Sequence, residues 1–247
     1  MEQYIIDIDD RGEETAKLNP EWARERSRQK YELYLAKSGI PSFYHNIEFR
    51  DYQGNQQSEE FKKVLYYANN LDNPEFEHTH LYIYGVNSSQ KSAIACNILK
   101  KGITKGLKAK FVQAGNLMKA LMKTQGFSED IDSETLIKEL QEADVICIDD
   151  VFDPDKIGLW KNSDNKNLQV SEWDNFLREL SASKTKVVMT SNFNLDIIEQ
   201  YYSRSLFELV ERNYVLLKFN ESIKTFRKDA INRVVSIPED FNVEDYL

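Results

Sequence analysis

The chain has 247 residues, 41% of them hydrophobic and 30% charged, and a net charge of −9. That length suits one sizeable α/β domain with a short appendage. No apolar run approaches the roughly 20 residues of a membrane span, and so much negative charge argues against a surface that grips nucleic acid throughout, because phosphate neutralisation needs clustered Lys and Arg.

The acidic start, MEQYIIDIDDRGEE, lacks the basic and apolar regions of a signal peptide. Tyr4, Ile5, Ile6 and Ile8 read as a short strand or a docking segment. Asn19-Pro20 reads as an N-cap followed by proline at the first helical position, opening a helix over Glu21–Lys37 that stops at Ser38-Gly39. Its charges fall on all faces and its aromatics are Trp22, Tyr31 and Tyr34, so it reads as an arm with little core to join. Residues 1–37 are therefore expected to form an appendage, and residues 38–247 the main domain.

From residue 59 the pattern becomes regular. Glu59–Leu71 spaces Phe61, Val64, Leu65, Ala68 and Leu71 as one face of an amphipathic helix. Strands are predicted at 81–85, 109–114, 144–149, 186–192 and 214–219. Helices are predicted at 91–104, 116–123, 133–142, 171–182 and 202–211. The strand DVICID carries almost no polar break, as a strand buried on both faces of a parallel sheet should. Strands and helices alternating in this way imply an α/β fold with a central parallel sheet flanked by helices. Cys96 and Cys147 fall inside these elements and read as free buried thiols in a reducing cytoplasm. His45, His78 and His80 show no metal-ligand spacing and read as surface or loop residues.

Three segments carry chemistry. Gly85-Val86-Asn87-Ser88-Ser89-Gln90-Lys91-Ser92 follows a strand and opens a helix, the setting of a phosphate-binding loop. Backbone N–H groups there would cradle phosphates, Lys91 would reach the β- and γ-phosphates of ATP, and the Ser92 hydroxyl would hold Mg²⁺. Gln90 stands where the motif has glycine, and Ser88 also replaces a glycine; the alternative is a strand–turn–helix with a chance Gly…Lys-Ser. DVICID ends in Asp149-Asp150, where one carboxylate would organise Mg²⁺ and the next polarise water; alone, it reads equally as a solvated acidic turn. KVVMTSN ends in Asn192, which would orient water or else cap the turn that follows.

The order of these motifs resembles AAA+ P-loop ATPases. The run Ser203-Arg204-Ser205-Leu206, VERNYVLLKF and Glu221-Ser222…Arg227 is similar to that of the DnaC/DnaI-type replicative-helicase loaders and the IstB-type transposase helpers. The resemblance implies a P-loop AAA+ core over residues 38–230, a truncated C-terminal lid, and the binding and hydrolysis of ATP to ADP. It makes Arg204 a finger on a neighbour's nucleotide, with Arg212 the competing candidate, and Arg227 a sensor on the subunit's own nucleotide. It also implies self-association into a ring or spiral, a hexameric helicase bound by residues 1–37, and single-stranded DNA contacted by Lys119 and Lys123. Those two lysines lie four apart on one helix face and read equally as a solvated face, as do Lys100, Lys101, Lys105, Lys108 and Lys110. A transposition helper on duplex DNA and a nucleotide-weak AAA+ adaptor are the alternative functions.

Overall fold

The computed structural model describes residues 3–8, 14–123, 133–154 and 163–221. Chain order begins with β1 (Tyr4–Ile8), β2 (Glu14–Leu18), α1 (Pro20–Lys37), α2 (Glu59–Asn69), β3 (His80–Gly85), α3 (Lys91–Thr104) and β4 (Ala109–Gln113). It continues with α4 (Ala114–Lys123), α5 (Ser133–Gln141), β5 (Val145–Asp149), α6 (Ser163–Ala182), β6 (Lys186–Ser191), α7 (Leu195–Tyr201), α8 (Arg204–Asn213) and β7 (Tyr214–Phe219). Strand β2 and the first turns of α6 were not anticipated. The segment ETAKL of β2 has weak strand propensity, and its pairing with β1 defines it as a strand.

The main sheet has five parallel strands in the order β4-β5-β6-β3-β7. Side chains alternate across it, as the two-residue strand period requires. Leu81, Ile83, Val145, Cys147 and Val188 join the core beneath α2 and α3. Tyr82, Ile146, Ile148, Val187 and Met189 join the opposite core, built from α4 to α8. Both faces are covered, which is why DVICID is apolar at nearly every position. Parallel crossovers are right-handed. The step from β3 out to β4 therefore carries α3 on one face, and the return steps to β5, β6 and β7 carry their helices on the other. A crevice opens at the carboxyl end of β3, where these directions part, and open α/β sheets bind ligands at such a point.

Helix α1 begins as its sequence implies: the Asn19 side chain accepts from the Glu21 and Trp22 amides at 3.0 and 3.4 Å, with Pro20 in the first turn. It meets the core only near its end, where Leu35 is buried and Tyr31 and Tyr34 pack against the α2–α3 cluster. The expectation of a helix with little core to join is corrected for these last two turns. Beyond them Gly39 turns the chain at φ 74°, where a Cβ would sit 2.9 Å from the Phe111 carbonyl. The Ser38 carbonyl then accepts from the Phe111 amide at 2.7 Å, so the exit from α1 is tied to edge strand β4.

His80 is also corrected: it is buried, not at the surface, and its Nδ1 accepts from the Val187 amide at 3.1 Å. An accepting nitrogen fits a neutral ring, and burial pushes its pKa down to about 4. Cys96 and Cys147 are free and buried. No helix among the described residues is long and apolar enough to cross a membrane.

Gly85 ends β3 at φ 139°, where an added Cβ would lie 1.9 Å from the Phe219 carbonyl oxygen of β7. Gly85→Ala should therefore part β3 from β7 and destabilise the protein by at least about 2 kcal/mol. Urea unfolding of the two proteins checks this; an unchanged midpoint would show that the strands move aside freely.

Candidate functional site

The crevice is an open cavity of about 380 Å³ walled by the 88–93 loop and helix start, by Asp149 and Asp150, by Thr190, Ser191 and Asn192, and by Phe43, Tyr44 and Gln113. The sequence motifs at 85–92, 149–150 and 192 thus converge at the carboxyl ends of β3, β5 and β6. The loop adopts the backbone that glycine favours without the glycines. Ser88 and Gln90 are left-handed, at φ 65° and 64°, a conformation that disfavours most side chains by roughly 1–2 kcal/mol each. Gln90 is held there by its tip: its Oε1 accepts from the Gln53 amide at 3.0 Å, while its Nε2 is buried without a hydrogen-bond partner among the described residues. Asn87 is exposed and does not line the cavity.

Lys91 lies at the first turn of α3, whose N-terminus opens on the cavity. Its ammonium donates to the carbonyls of Gly85 at 3.1 Å and Val86 at 2.7 Å and to the Ser89 hydroxyl at 3.2 Å. Burial pushes its pKa down to about 8, against the pull of the nearby Asp150 and Asp149 carboxylates. The Ser92 side chain lines the same cavity.

Thr190 joins the two carboxylate residues. Its hydroxyl donates to Asp149 Oδ1 at 2.6 Å and accepts from the Asp150 amide at 3.0 Å. Asp150 is itself left-handed, at φ 61°, and its Oδ1 accepts from the Asn192 amide nitrogen at 3.2 Å. The Asn192 side chain is therefore turned to Asp150; the next helix, α7, has Asn194 as its N-cap, without a side-chain cap bond. Thr190, Gln113 and the Phe43–Tyr44 pair went unread as site residues. The two rings meet edge-on at 5.3 Å and form an aromatic wall suited to a planar base. An aromatic pair just after the Gly39–Pro41 turn was the available signal.

The remaining candidates lie elsewhere. Arg204 begins α8 after the Ser203 cap, is exposed, and pairs with Glu199 at 2.5 Å and Glu208 at 2.9 Å. Because α8 runs directly into β7, its N-terminus lies at the carboxyl end of the sheet, the same end as the cavity, yet Arg204 does not line the cavity. Arg212, also exposed, stands 3.5 Å from Glu208. Arg227 and any C-terminal lid lie outside the described residues, as does the side chain of Lys123; Lys119 is exposed on α4.

The lysine cluster near α3 is corrected in part. Lys100 is buried and donates to the carbonyls of Tyr44 at 2.9 Å, His45 at 3.3 Å and Ile47. Lys105 pairs with Asp72 at 2.6 Å and Lys110 with Glu139 at 2.7 Å. Lys100 pins the turn that carries the aromatic wall, and Lys105 and Lys110 tie down local structure.

Solved structures share this architecture. The DnaC helicase loader superposes with a TM-score of 0.55 at 16% identity, over 73% of this chain and 100% of that one. DnaI gives 0.55 at 11%, over 74% and 92%. The replication initiator DnaA bound to AMPPCP and single-stranded DNA gives 0.55 at 14%, over 84% of this chain and 60% of that one. The fold is that of the DnaC loader and DnaI. At such identities the likeness is one of fold. No family model and no curated protein matches the sequence.

The cavity suits a nucleotide on this chain's own geometry: the loop leaves no room for a Cβ at Gly85, the helix N-terminus faces the cavity, and among the described residues the buried Lys91 ammonium has neutral oxygens as its hydrogen-bond partners. Two predictions follow from it. Thr190→Val keeps the shape but strips the buried Asp149 carboxylate of its hydroxyl donor and the Asp150 amide of its acceptor. Stability should fall by about 1–3 kcal/mol, measured by urea unfolding. The second concerns pH. Lys91 loses its charge as pH rises through about 8, so affinity for an anionic nucleotide should be nearly flat below pH 8. It should then fall on the order of tenfold per unit above it. Over the window from about 8 to the ordinary value of 10.5, the unfolded chain holds the proton longer, so the Lys91 contribution to stability rises with pH. Calorimetric titration with ATP at pH 7 and at about pH 9.5 reads the affinity arm.

Proposed function

We propose that the chain is an ATP-dependent DNA replication factor that binds a hexameric replicative helicase and places it on single-stranded DNA. The observation that carries this reading is the meeting of Lys91, Asp149, Asp150 and Asn192 in one cavity at the carboxyl ends of the strands. The fold likeness to the DnaC loader, to DnaI and to the initiator DnaA bound to AMPPCP and single-stranded DNA supports the choice of process.

In this reading the α3 N-terminus and Lys91 hold the phosphates of ATP or ADP, and the Phe43–Tyr44 wall receives the base. Ser92 and Asp149 would hold Mg²⁺, which supplies charge neutralisation between the β- and γ-phosphates. Asp150, steadied by the Asn192 amide, orients and polarises the attacking water, with Arg227 acting on the same nucleotide. Asp150 is one methylene shorter than a glutamate, which favours slow turnover. Residues 38–247 form the ATPase domain and self-associate in a ring or spiral, with Arg204 completing a neighbour's site. Residues 1–37 dock the helicase, Lys119 and Lys123 meet the strand, and the protein works in the cytoplasm. The nucleotide-weak adaptor has one observation in its favour: the Lys91 ammonium is folded onto its own loop.

Wild-type protein should bind Mg²⁺-ATP in calorimetry and Lys91→Ala at least about a hundredfold more weakly. No binding by the wild type at millimolar nucleotide favours the adaptor. Arg204→Ala should keep monomer affinity and lose helicase- or DNA-stimulated hydrolysis, since fingers contribute on the order of 10³–10⁵ in rate. Mixing Arg204→Ala with Lys91→Ala subunits should restore part of the activity; a mixture that assembles but stays inactive transfers the finger to Arg212.

A further inference from the structure

Strands β1 and β2 form an antiparallel ribbon that stands outside the main sheet. Directly opposed residues share a face, and the register pairs Tyr4 with Leu18, Ile6 with Ala16, Ile5 with Lys17 and Asp7 with Thr15. Because faces alternate along a strand, the first two pairs make one side and the last two the other. One side therefore carries Tyr4, Ile6, Ala16 and Leu18, an apolar stretch that ends at the Ile8–Glu14 pair, where Glu14 adds a carboxylate. The other is largely polar, closed by the Lys17–Asp7 ion pair and by the Thr15 hydroxyl donating to the Asp7 carbonyl at 3.3 Å. The apolar side faces solvent, with Ile6 67%, Tyr4 52% and Leu18 48% exposed. A two-stranded ribbon is marginal in water unless its apolar face is covered, and the ribbon is fixed to the start of α1 by the Asn19 amide donating to the Gln3 carbonyl at 2.9 Å.

Charge selects the cover. Residues 1–20 hold six carboxylates against Arg11 and Lys17, so the apolar face belongs to a strongly acidic segment. A second copy of the ribbon would bring two such segments together. The last eleven residues of the chain carry Glu239, Asp240, Glu244 and Asp245, and no Lys or Arg, so they share the same sign. Complementarity is met by an apolar patch ringed with lysines and arginines on a different protein.

We propose that the apolar face of the β1–β2 ribbon docks on such a basic-rimmed apolar patch of the replicative helicase. This rests on the loader reading and adds which surface of the arm makes the contact. The polar side of the ribbon stays in water, and α1 is the spacer that carries the ribbon away from the ATPase domain.

The test uses the full-length protein against the purified replicative helicase hexamer, with Ile6→Asp and Ile5→Asp as matched variants. Each adds one negative charge at adjacent positions of the same strand, on opposite faces. Ile6→Asp should weaken helicase binding at least about a hundredfold, and Ile5→Asp should stay within about threefold of wild type. Raising salt from about 50 to about 500 mM should weaken the wild-type complex roughly tenfold, as a charged rim requires. Nucleotide binding should be the same in all three, which reports intact folding. Binding that survives Ile6→Asp, or that falls equally in both variants, overturns this inference and leaves the loader reading standing. A wild-type dimer in sedimentation that Ile6→Asp dissociates assigns the face to a second copy and overturns it as well. Failure of the folded wild type to bind the helicase at all overturns the loader reading, and this inference with it.

Discussion

Strands β3 and β7 meet so closely at Gly85 and Phe219 that no side chain fits between them, and much of the site follows from that approach. The Val86 amide donates to the Phe219 carbonyl at 3.2 Å, so the loop leaves the sheet already bent toward α3. The Phe219 ring meets Tyr52 edge-on at 6.0 Å, and Tyr52 stacks on Phe61 of α2 at 4.5 Å. The next residue, Gln53, gives its amide to Gln90. Sheet edge, linker and loop are thus one packed unit, and the left-handed turn at Gln90 is held from outside the loop as well as by the helix it begins.

Two lysines of α3 show how this fold handles buried positive charge. Lys91 and Lys100 both place their ammonium groups among carbonyl oxygens, with no carboxylate of the described residues in direct contact. Burial lowers the pKa of each. Carbonyl dipoles can satisfy the donors of an ammonium group without cancelling its charge. For Lys100 the result is a pinned turn that sets Phe43 and Tyr44 against the cavity. For Lys91 the result is a cation whose donors turn back on its own loop with the charge left uncancelled.

The sheet was legible because its strands are buried on both faces and its helices are short and periodic. DVICID and KVVMTSN announce themselves by composition, and the loop by its place between strand and helix. The cavity's acidic and amide residues followed, since each ends a strand. What the sequence hid depends on register or on distant partners. Thr190 matters because Asp149 ends the adjacent strand and Asp150 follows it, 41 and 40 residues away in sequence. Gln90 tolerates a left-handed backbone beside Gln53, a partner 37 residues distant. Lys100 and His80 look like surface residues until the carbonyls and the amide that satisfy them are brought alongside. Strand β2 escaped notice because a ribbon open to solvent leaves no burial pattern to read.

The Gln53–Gln90 hydrogen bond has a mechanical consequence. Glycine at position 90 would relieve the left-handed strain, but it would lose the tie to Gln53. Glutamine makes the loop a lever whose far end is the linker, and that linker is continuous with α1 and the segment before it. A shift of the segment between α1 and α2 would therefore reach the 85–92 loop through that one hydrogen bond.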